Sequence, residues 1–401
     1  MPRPTRISEI SELNDWAWLR RRHFPHTNLY GQLGTAMLQG QWLGKYAGTN
    51  TGEVILELDS VDSSYGGRAY IYDDRADLPS TAAYVAIPAG VTTHQIKNLP
   101  LLALAPGGDF STWNNVRSLF PGVTFPTTAD TDWTIAGNTI KVDWLTNIGT
   151  SGSATVTRVD GSRPSKLAPM SITTWDEFRH HVRDLSPYRY VFRGQENNSW
   201  RLRTSFHRTQ RADLIRYMQL DVNELHRHLS GLTTHLFNLT SDIEYAAFLS
   251  LAQHHGYPTP LLDWTYSPFI SAYFAFKKAG PPVEKVRIFL FDRQQWVTDW
   301  MQLQRIAPAR LHFSIIDAVA LNNARKIPQQ ALATVTNAED IEDYIGSKET
   351  DTRKYLQAID LPTAQREQVL KELNLMGINA GSLFPGLDGA CSQLRDRFFG
   401  L

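Results

Sequence analysis

The chain has 401 residues, 42% of them hydrophobic and 20% charged, and a length that points to two domains at ~100–200 residues each. Its 40 basic and 40 acidic side chains cancel, which removes a global attraction to nucleic acid or to an anionic membrane and leaves no strong nucleic-acid signal. The lone Cys391 excludes an intrachain disulfide and a zinc site built on several thiolates, and neither a signal core nor a run of ~18 apolar residues is seen, so a cytoplasmic protein without membrane contact is expected.

Residues 1–35 read as an N-terminal helical segment. A short helix is expected over 7–22, with Leu13, Trp16, Trp18 and Leu19 on its apolar side and Arg20, Arg21 and Arg22 as a solvated end. From Gln41 the texture changes. Residues 41–59 read as strand, turn, strand, although Val54, Leu56 and Leu58 alternate with Glu53, Ile55 and Glu57 and so only partly satisfy a period of two. Residues 63–67 read as a turn. Further strands are expected at 68–73, 82–87, 91–96, 132–135, 140–144 and 153–159, with a helix inserted at 110–119. Short strands punctuated by Gly, Asn and Asp predict an all-β sandwich or small barrel over 36–165. The sequence of this module does not choose among protein, glycan and lipid as its partner; a macromolecular target or trigger bound through residues 36–165 is an expectation of the two-domain layout alone. The turn-rich stretch 159–169 marks the domain boundary.

Thr174 or Ser171 then caps a helix whose inner side is Trp175, Phe178 and Val182, and Glu177 completes a capping box with Thr174. Helices at 214–236, 242–255, 267–277 and 363–374 are interspersed with strands at 188–193, 286–291, 332–335 and 356–359, an α+β pattern over 171–401.

Three stretches carry residues suited to chemistry. Arg193 ends an apolar strand before Gly194, with Arg201, Arg203 and Arg208 following. A planar fork of donors there suits a pyrophosphate or carboxylate; the plainer reading is a pair with a buried carboxylate such as Asp263. A helix ends at Gly256, a short strand passes through Leu261 and Leu262, and a new helix begins at Ser267. Thr265 and Ser267 suit capping there, and the free N–H groups of that helix end suit a phosphate. Gln329 and Gln330 precede a strand, where two amides suit a ribose or amide, or ordinary loop solvation. Residues 383–389 read as a structural turn around Asp388. His254 beside His255, and His226 with His228, lack the spacing of a metal site on one helix face, so no metal is expected.

Taken together these stretches resemble the FRG domain, over about residues 171–395. The matching residues are Phe192-Arg193-Gly194-Gln195, Trp200, Leu202, Gln253-His254, Gly256, Thr259, Leu261 to Thr265, Ser267-Pro268 and Ala272 to Ala275, followed by Asn323, Arg325, Gln329-Gln330, Leu383 to Pro385 and Asp388-Gly389. The chain departs at Pro260, where the family usually has Arg, and at Ala331, where it usually has Gly. In outline this arrangement is similar to the Arg–Ser–Glu branch of the ADP-ribosyltransferase fold. That resemblance implies NAD as the cofactor, with Arg193, Ser267 and Gln330 in the catalytic places: Arg193 on the pyrophosphate, Ser267 on the ribose, and Gln330 or Gln329 where the branch has Glu. It implies further cofactor contacts from Gly194, Gln195, His254, Thr265, Trp264 and Tyr266, with Tyr257, Trp264 or Tyr266 stacking on nicotinamide.

A glutamine holds a ribose but stabilises an oxocarbenium-like charge less than a carboxylate does. Three outcomes stay open: another acid, Asp263, Glu339 or Asp388, serves; the glutamine supports a slower or different transfer; or the pocket binds a nucleotide without reacting. The resemblance therefore implies a NAD-dependent ADP-ribosyltransferase or NAD glycohydrolase effector, in a toxin-like, sensor-plus-effector layout of the kind suited to bacterial antiphage defence, an analogy at the level of fold. The alternative is a non-catalytic binding module, in which Arg193 and Asp263 form a buried ion pair and Trp264 and Phe274 are core.

Overall fold

The structure is a computed structural model that describes residues 37–399 except 305, 307–309, 317 and 322. The segment 1–35, with the helix expected over 7–22, lies outside the described residues.

The first sheet contains β1 (Gly40–Gly48), β2 (Thr51–Val61), β3 (Ser64–Asp73), β4 (Thr81–Pro88), β5 (Thr93–Pro100), β6 (Leu102–Leu104), β7 (Phe110–Ser111), β8 (Thr128–Ala136), β9 (Thr139–Thr146) and β10 (Ser151–Arg158). They pair antiparallel in the order β5-β8-β9-β10-β1-β2-β3-β4-β6-β7. β1 pairs with β2 on one side and β10 on the other, so the last strand returns to the first. β4 and β5 also approach each other, and all eight long strands send side chains into one core. The sheet is thus rolled into a barrel, one of the two architectures its strand pattern predicts. The seam between β4 and β5 carries an insertion of β6, β7 and the helix α1 (Trp113–Leu119), joined by a small core of Ala103, Val116 and Phe125.

Two local expectations are corrected here. Residues 63–67 are not a turn: the chain reverses at Asp62, whose φ is 53°, and β3 begins at Ser64. Gly67 lies within the strand, where an added Cβ would overlap the Glu57 carbonyl oxygen, so this glycine serves close strand approach. Of residues 110–119 only Trp113–Leu119 is helical, started by the Thr112 side chain, while Phe110–Ser111 pairs with β6.

The second sheet contains β11 (Tyr190–Gln195), β12 (Leu261–Thr265), β13 (Lys285–Asp292), β14 (Phe313–Ile316), β15 (Ala331–Thr336) and β16 (Leu356–Pro362), antiparallel in the order β14-β15-β12-β11-β13-β16. Its helices are α2 (Trp175–Arg183), α3 (Ser205–Arg208), α4 (Leu214–Arg216), which runs through a π-helical stretch into α5 (Asn223–Leu229), α6 (Asp242–His254), α7 (Pro268–Phe276), α8 (Arg293–Asp299), α9 (Ile341–Gly346), α10 (Arg366–Leu375), α11 (Ala380–Leu383) and α12 (Leu387–Phe399). The capping box of Thr174 and Glu177 starts α2, and Trp175, Phe178 and Val182 are buried as expected. One face of the sheet is covered by α2, α7 and α10 over β11, β13 and β16, and by α6 over β12 and β15. The other buries Leu262, Trp264, Phe289 and Phe291 with Trp296 of α8 and Ile341 and Ile345 of α9.

The helix expected over 214–236 stops at Leu229, before Ser230 and Gly231, because Gly is a poor helix former. The turn expected at 383–389 is instead the junction of α11 and α12. Gly389 sits inside α12, where an added Cβ would overlap the Phe384 carbonyl oxygen.

The outward faces of β1 to β3 meet the second sheet and its helices. Arg68 is bonded to both carboxylate oxygens of Asp213 at 2.6 and 2.5 Å, and both residues are buried. Asp59 accepts from Arg211 Nε and from the Ala212 main-chain N–H. Gln41 and Glu339 bond reciprocally: each main-chain N–H donates to the other's side chain at 3.1 Å. Glu57 lies among these groups, and burial, reinforced by Asp213, holds its carboxyl well above the usual range.

Candidate functional site

β11 places Arg193 beside β12. The two strands are paired only at Phe192 and Thr265. Continuing that antiparallel register would set Gly194 opposite Asp263. There the Arg193 guanidinium takes over, Nη1 donating to the Asp263 carbonyl oxygen at 2.7 Å. The expected ion pair between the two side chains is corrected by this bond, since the acceptor is main chain and the Asp263 carboxylate is on an exposed residue. Arg193 Nε is buried and finds no partner among the described residues. Burial lowers the guanidinium's proton affinity to about 10; nearby Asp263 works against that shift and nearby Arg208 adds to it. Arg208 is shifted down as well, by burial and then by Arg203.

Gln195, two residues along β11, is buried, and its Oε1 also lacks a partner among the described residues. Alternation puts it on the same strand face as Arg193. Gly194 lies against α7. An added Cβ would overlap the Ser271 carbonyl oxygen and crowd Ala275 N, so the space beside this glycine is filled by α7.

The second half of the site is the step from β12 into α7. Thr265 Oγ1 donates to the Gln329 carbonyl oxygen at 2.7 Å and accepts from Ser267 N–H at 3.1 Å. Tyr266 N–H donates to the Gln330 carbonyl oxygen at 3.1 Å. Ser267 Oγ accepts from Ile270 N–H, which is the capping role weighed for it. Gln330 is exposed and holds φ at 48°, placing its main chain against Tyr266 directly before β15, where the third strand is expected. Gln329 is turned away, its amide donating to the Leu383 carbonyl oxygen. Asp263 and Thr265 share a strand face two residues apart, roughly 7 Å along the strand, whereas Arg193 alternates onto the other face and meets this strand at the Asp263 main chain.

Trp264 is corrected from a cofactor contact to a core residue. It is 2% exposed, packs on Phe291 and Phe313, and donates from Nε1 to Thr334 Oγ1. Tyr266 is half-buried, edge-on to Tyr188 and under Arg293. His254, at the end of α6, is half-buried, and burial, with Arg325 and His255 adding to it, lowers its ring to about 4, so it is neutral at pH 7. Among the alternative acids, Glu339 is committed to Arg203 and Gln41, and Asp388 lies exposed in the first turn of α12. Asp263 is the acid beside Arg193. Sequence reasoning missed the chain of cations that runs from Arg193 through Arg208 to Arg203, and the buried, neutral His207 beside Arg203; the run from Arg201 to Arg208 was the signal for it. Among the described residues no group of three or more His, Cys, Asp or Glu has the arrangement of a metal site, and no helix is long and apolar enough to cross a membrane.

Residues 188–282 match the family model of the FRG domain, so the C-terminal part of the chain carries an FRG domain. The match spans β11, α3 to α7 and β12, and therefore both halves of the site. No curated protein matches the chain. Two solved structures are similar to part of it: a redesigned β-barrel (12% identity, 31% of this chain and 92% of that one, TM-score 0.21) and Rv2717c from M. tuberculosis (16% identity, 31% and 93%, TM-score 0.20).

Proposed function

We propose that the FRG domain is a NAD-using effector of ADP-ribosyltransferase type, in which Arg193 holds the pyrophosphate. The observation that carries this reading is a half-buried arginine whose guanidinium has, among the described residues, no bonded carboxylate and a buried, unpartnered Nε, beside a second cation, Arg208. Burying a charge without a counter-charge is costly, and a phosphate oxygen placed between the two guanidinium groups offsets that cost. The Thr265–Ser267 step offers hydroxyls next to the helix end, and the exposed carboxylate of Asp263 takes the place of the missing glutamate. In the reaction the bond between the ribose anomeric carbon and nicotinamide breaks. Nicotinamide leaves with the bonding pair, and water or a nucleophile on a macromolecule attacks that carbon while its proton passes to the Asp263 carboxylate. The N-terminal barrel then acts as the sensing or recruiting part.

A specific observation also favours the binding-module reading. Arg193 bonds the carbonyl that the β11–β12 ladder leaves free, which is a structural task. The experiment separates the two. Purified protein is incubated with NAD, with and without cell lysate, and nicotinamide release is followed by chromatography for the natural chain, Arg193→Lys and Arg193→Ala. Release that falls at least a hundredfold in variants with unchanged near-ultraviolet circular dichroism supports NAD chemistry. Absence of release and of any NAD-induced thermal shift in the natural chain, with Arg193→Ala unfolded, replaces it with the binding-module reading.

A further inference from the structure

The barrel interior is filled at one end and empty at the other. Trp42, Leu58, Ile87 and Ile140, each essentially inaccessible, close the filled end. Beyond them lies a cavity of about 340 Å³, within the range of small-molecule sites. Its walls come from all eight long strands, and its inward positions include Ala69, Ala83, Ala129 and Ala154. These small residues leave space where larger ones would fill an eight-stranded barrel completely. Val54, Ile71, Val142 and Leu101 point inward yet are only half-buried, so apolar wall is open to the cavity rather than packed.

The mouth is aromatic. Tyr46 and Trp144 meet edge-on at 5.6 Å, and their rings lie where side chains at Gly52 and Gly152 would otherwise stand. Tyr46 donates its hydroxyl to Asp73 at 2.8 Å, and burial with that bond raises its proton affinity, keeping it a neutral donor. The other polar groups of the wall are engaged as well: deeper in, Trp133 Nε1 donates to Thr131 Oγ1, and at the rim the Thr146 and Thr150 hydroxyls bond each other. The one cation of the lining, Arg75, is paired with Asp77. Among the described residues, then, the wall offers a long apolar contact and no free positive charge to receive a carboxylate or phosphate.

We propose that the barrel binds an uncharged, lipophilic small molecule, its apolar body against the valines and alanines and any hydroxyl or carbonyl at the Tyr46–Trp144 mouth. A fatty acid is disfavoured, because its carboxylate would be desolvated beside Asp73 without a partner. This site is separate from the Arg193 site and does not depend on NAD chemistry.

The test titrates the full chain with the neutral dye Nile red and then displaces it with dodecanol or dodecanoic acid. Saturable binding is expected, with energy transfer from the tryptophans, and dodecanol should displace the dye at least tenfold more effectively than the acid. Ala83→Phe and Ala154→Phe fill the cavity from different strands, and each should weaken dye binding at least tenfold while circular dichroism is unchanged. If one variant fails to fold, the other carries the comparison; if both do, the dodecanol-over-acid preference and tryptophan transfer of the natural chain decide. Absence of saturable binding, binding indifferent to a folded filling variant, or equal displacement by the acid overturns the proposal.

Discussion

The first sheet rolls up and encloses its inner face, whereas the second stays open and covers both faces with helices and loops. The contrast sets where each half keeps its reactive features. In the barrel the feature is missing volume: alanines and half-buried valines around a space. In the FRG domain it is missing partners: Arg193 Nε and Gln195 Oε1 buried on one strand without hydrogen bonds among the described residues. Apolar volume tolerates being empty at modest cost, but buried polar atoms do not. The barrel is therefore expected to be insensitive to pH and salt, and the FRG half and the interface to carry the electrostatic sensitivity.

The largest break in this comparison should come from Asp213→Ala, which strands Arg68 in the interface. A loss of about 3–5 kcal/mol is expected in denaturant titration, and the double variant with Arg68→Met should recover most of it. Next is pH. Burial lowers the His207 ring to about 3, with Arg203 assisting, and burial alone lowers His312 to about 4. Below the unfolded value near 6.5 the unfolded chain takes up protons that the folded chain refuses, so stability is full above that pH and is lost as pH falls. Roughly 2 kcal/mol per histidine is expected to be gone by about pH 5, and His207→Asn should flatten the profile. Gly194→Ala pushes a methyl group into α7 and should cost roughly 1–3 kcal/mol, read as a lower denaturation midpoint. Thr174→Ala removes one side of the α2 capping box and should cost about 1 kcal/mol, a shift of a few degrees in Tm.

The sequence is most legible where one local rule acts alone. The capping box at Thr174, the α7 start at Ser267 and Pro268, and the alternation of Ala82 to Ile87 each correspond to an element in the structure. It is least legible where two surfaces claim one strand. β2 fails a clean period of two because Ile55, Glu57 and Asp59 are buried too, on the outer side against the FRG half. A partner such as Ala212, 153 residues from Asp59, leaves no mark in a local window. The helices α8, α9 and α12 and the strand β14 escape sequence reasoning for a related reason. β14 is an isolated four-residue run, and α12 buries only Gly389, so it shows little amphipathic contrast. Within the site, strand positions for Arg193 and the Thr265–Ser267 step are readable from order and spacing. That Arg193 bonds a carbonyl, and that Trp264 faces the core, depends on register across strands, which sequence spacing does not contain.

β2 and β3 form a wall one peptide layer thick. Val54, Leu56, Ala69 and Ile71 line the cavity, and Glu53, Glu57, Asp59, Arg68 and Tyr72 on the same two strands meet or adjoin the FRG half. Each lining residue has a neighbour in the chain that belongs to the other side. The pleat leaves no layer between them to absorb displacement, so dilation of the barrel is expected to be felt at the Arg68–Asp213 contact.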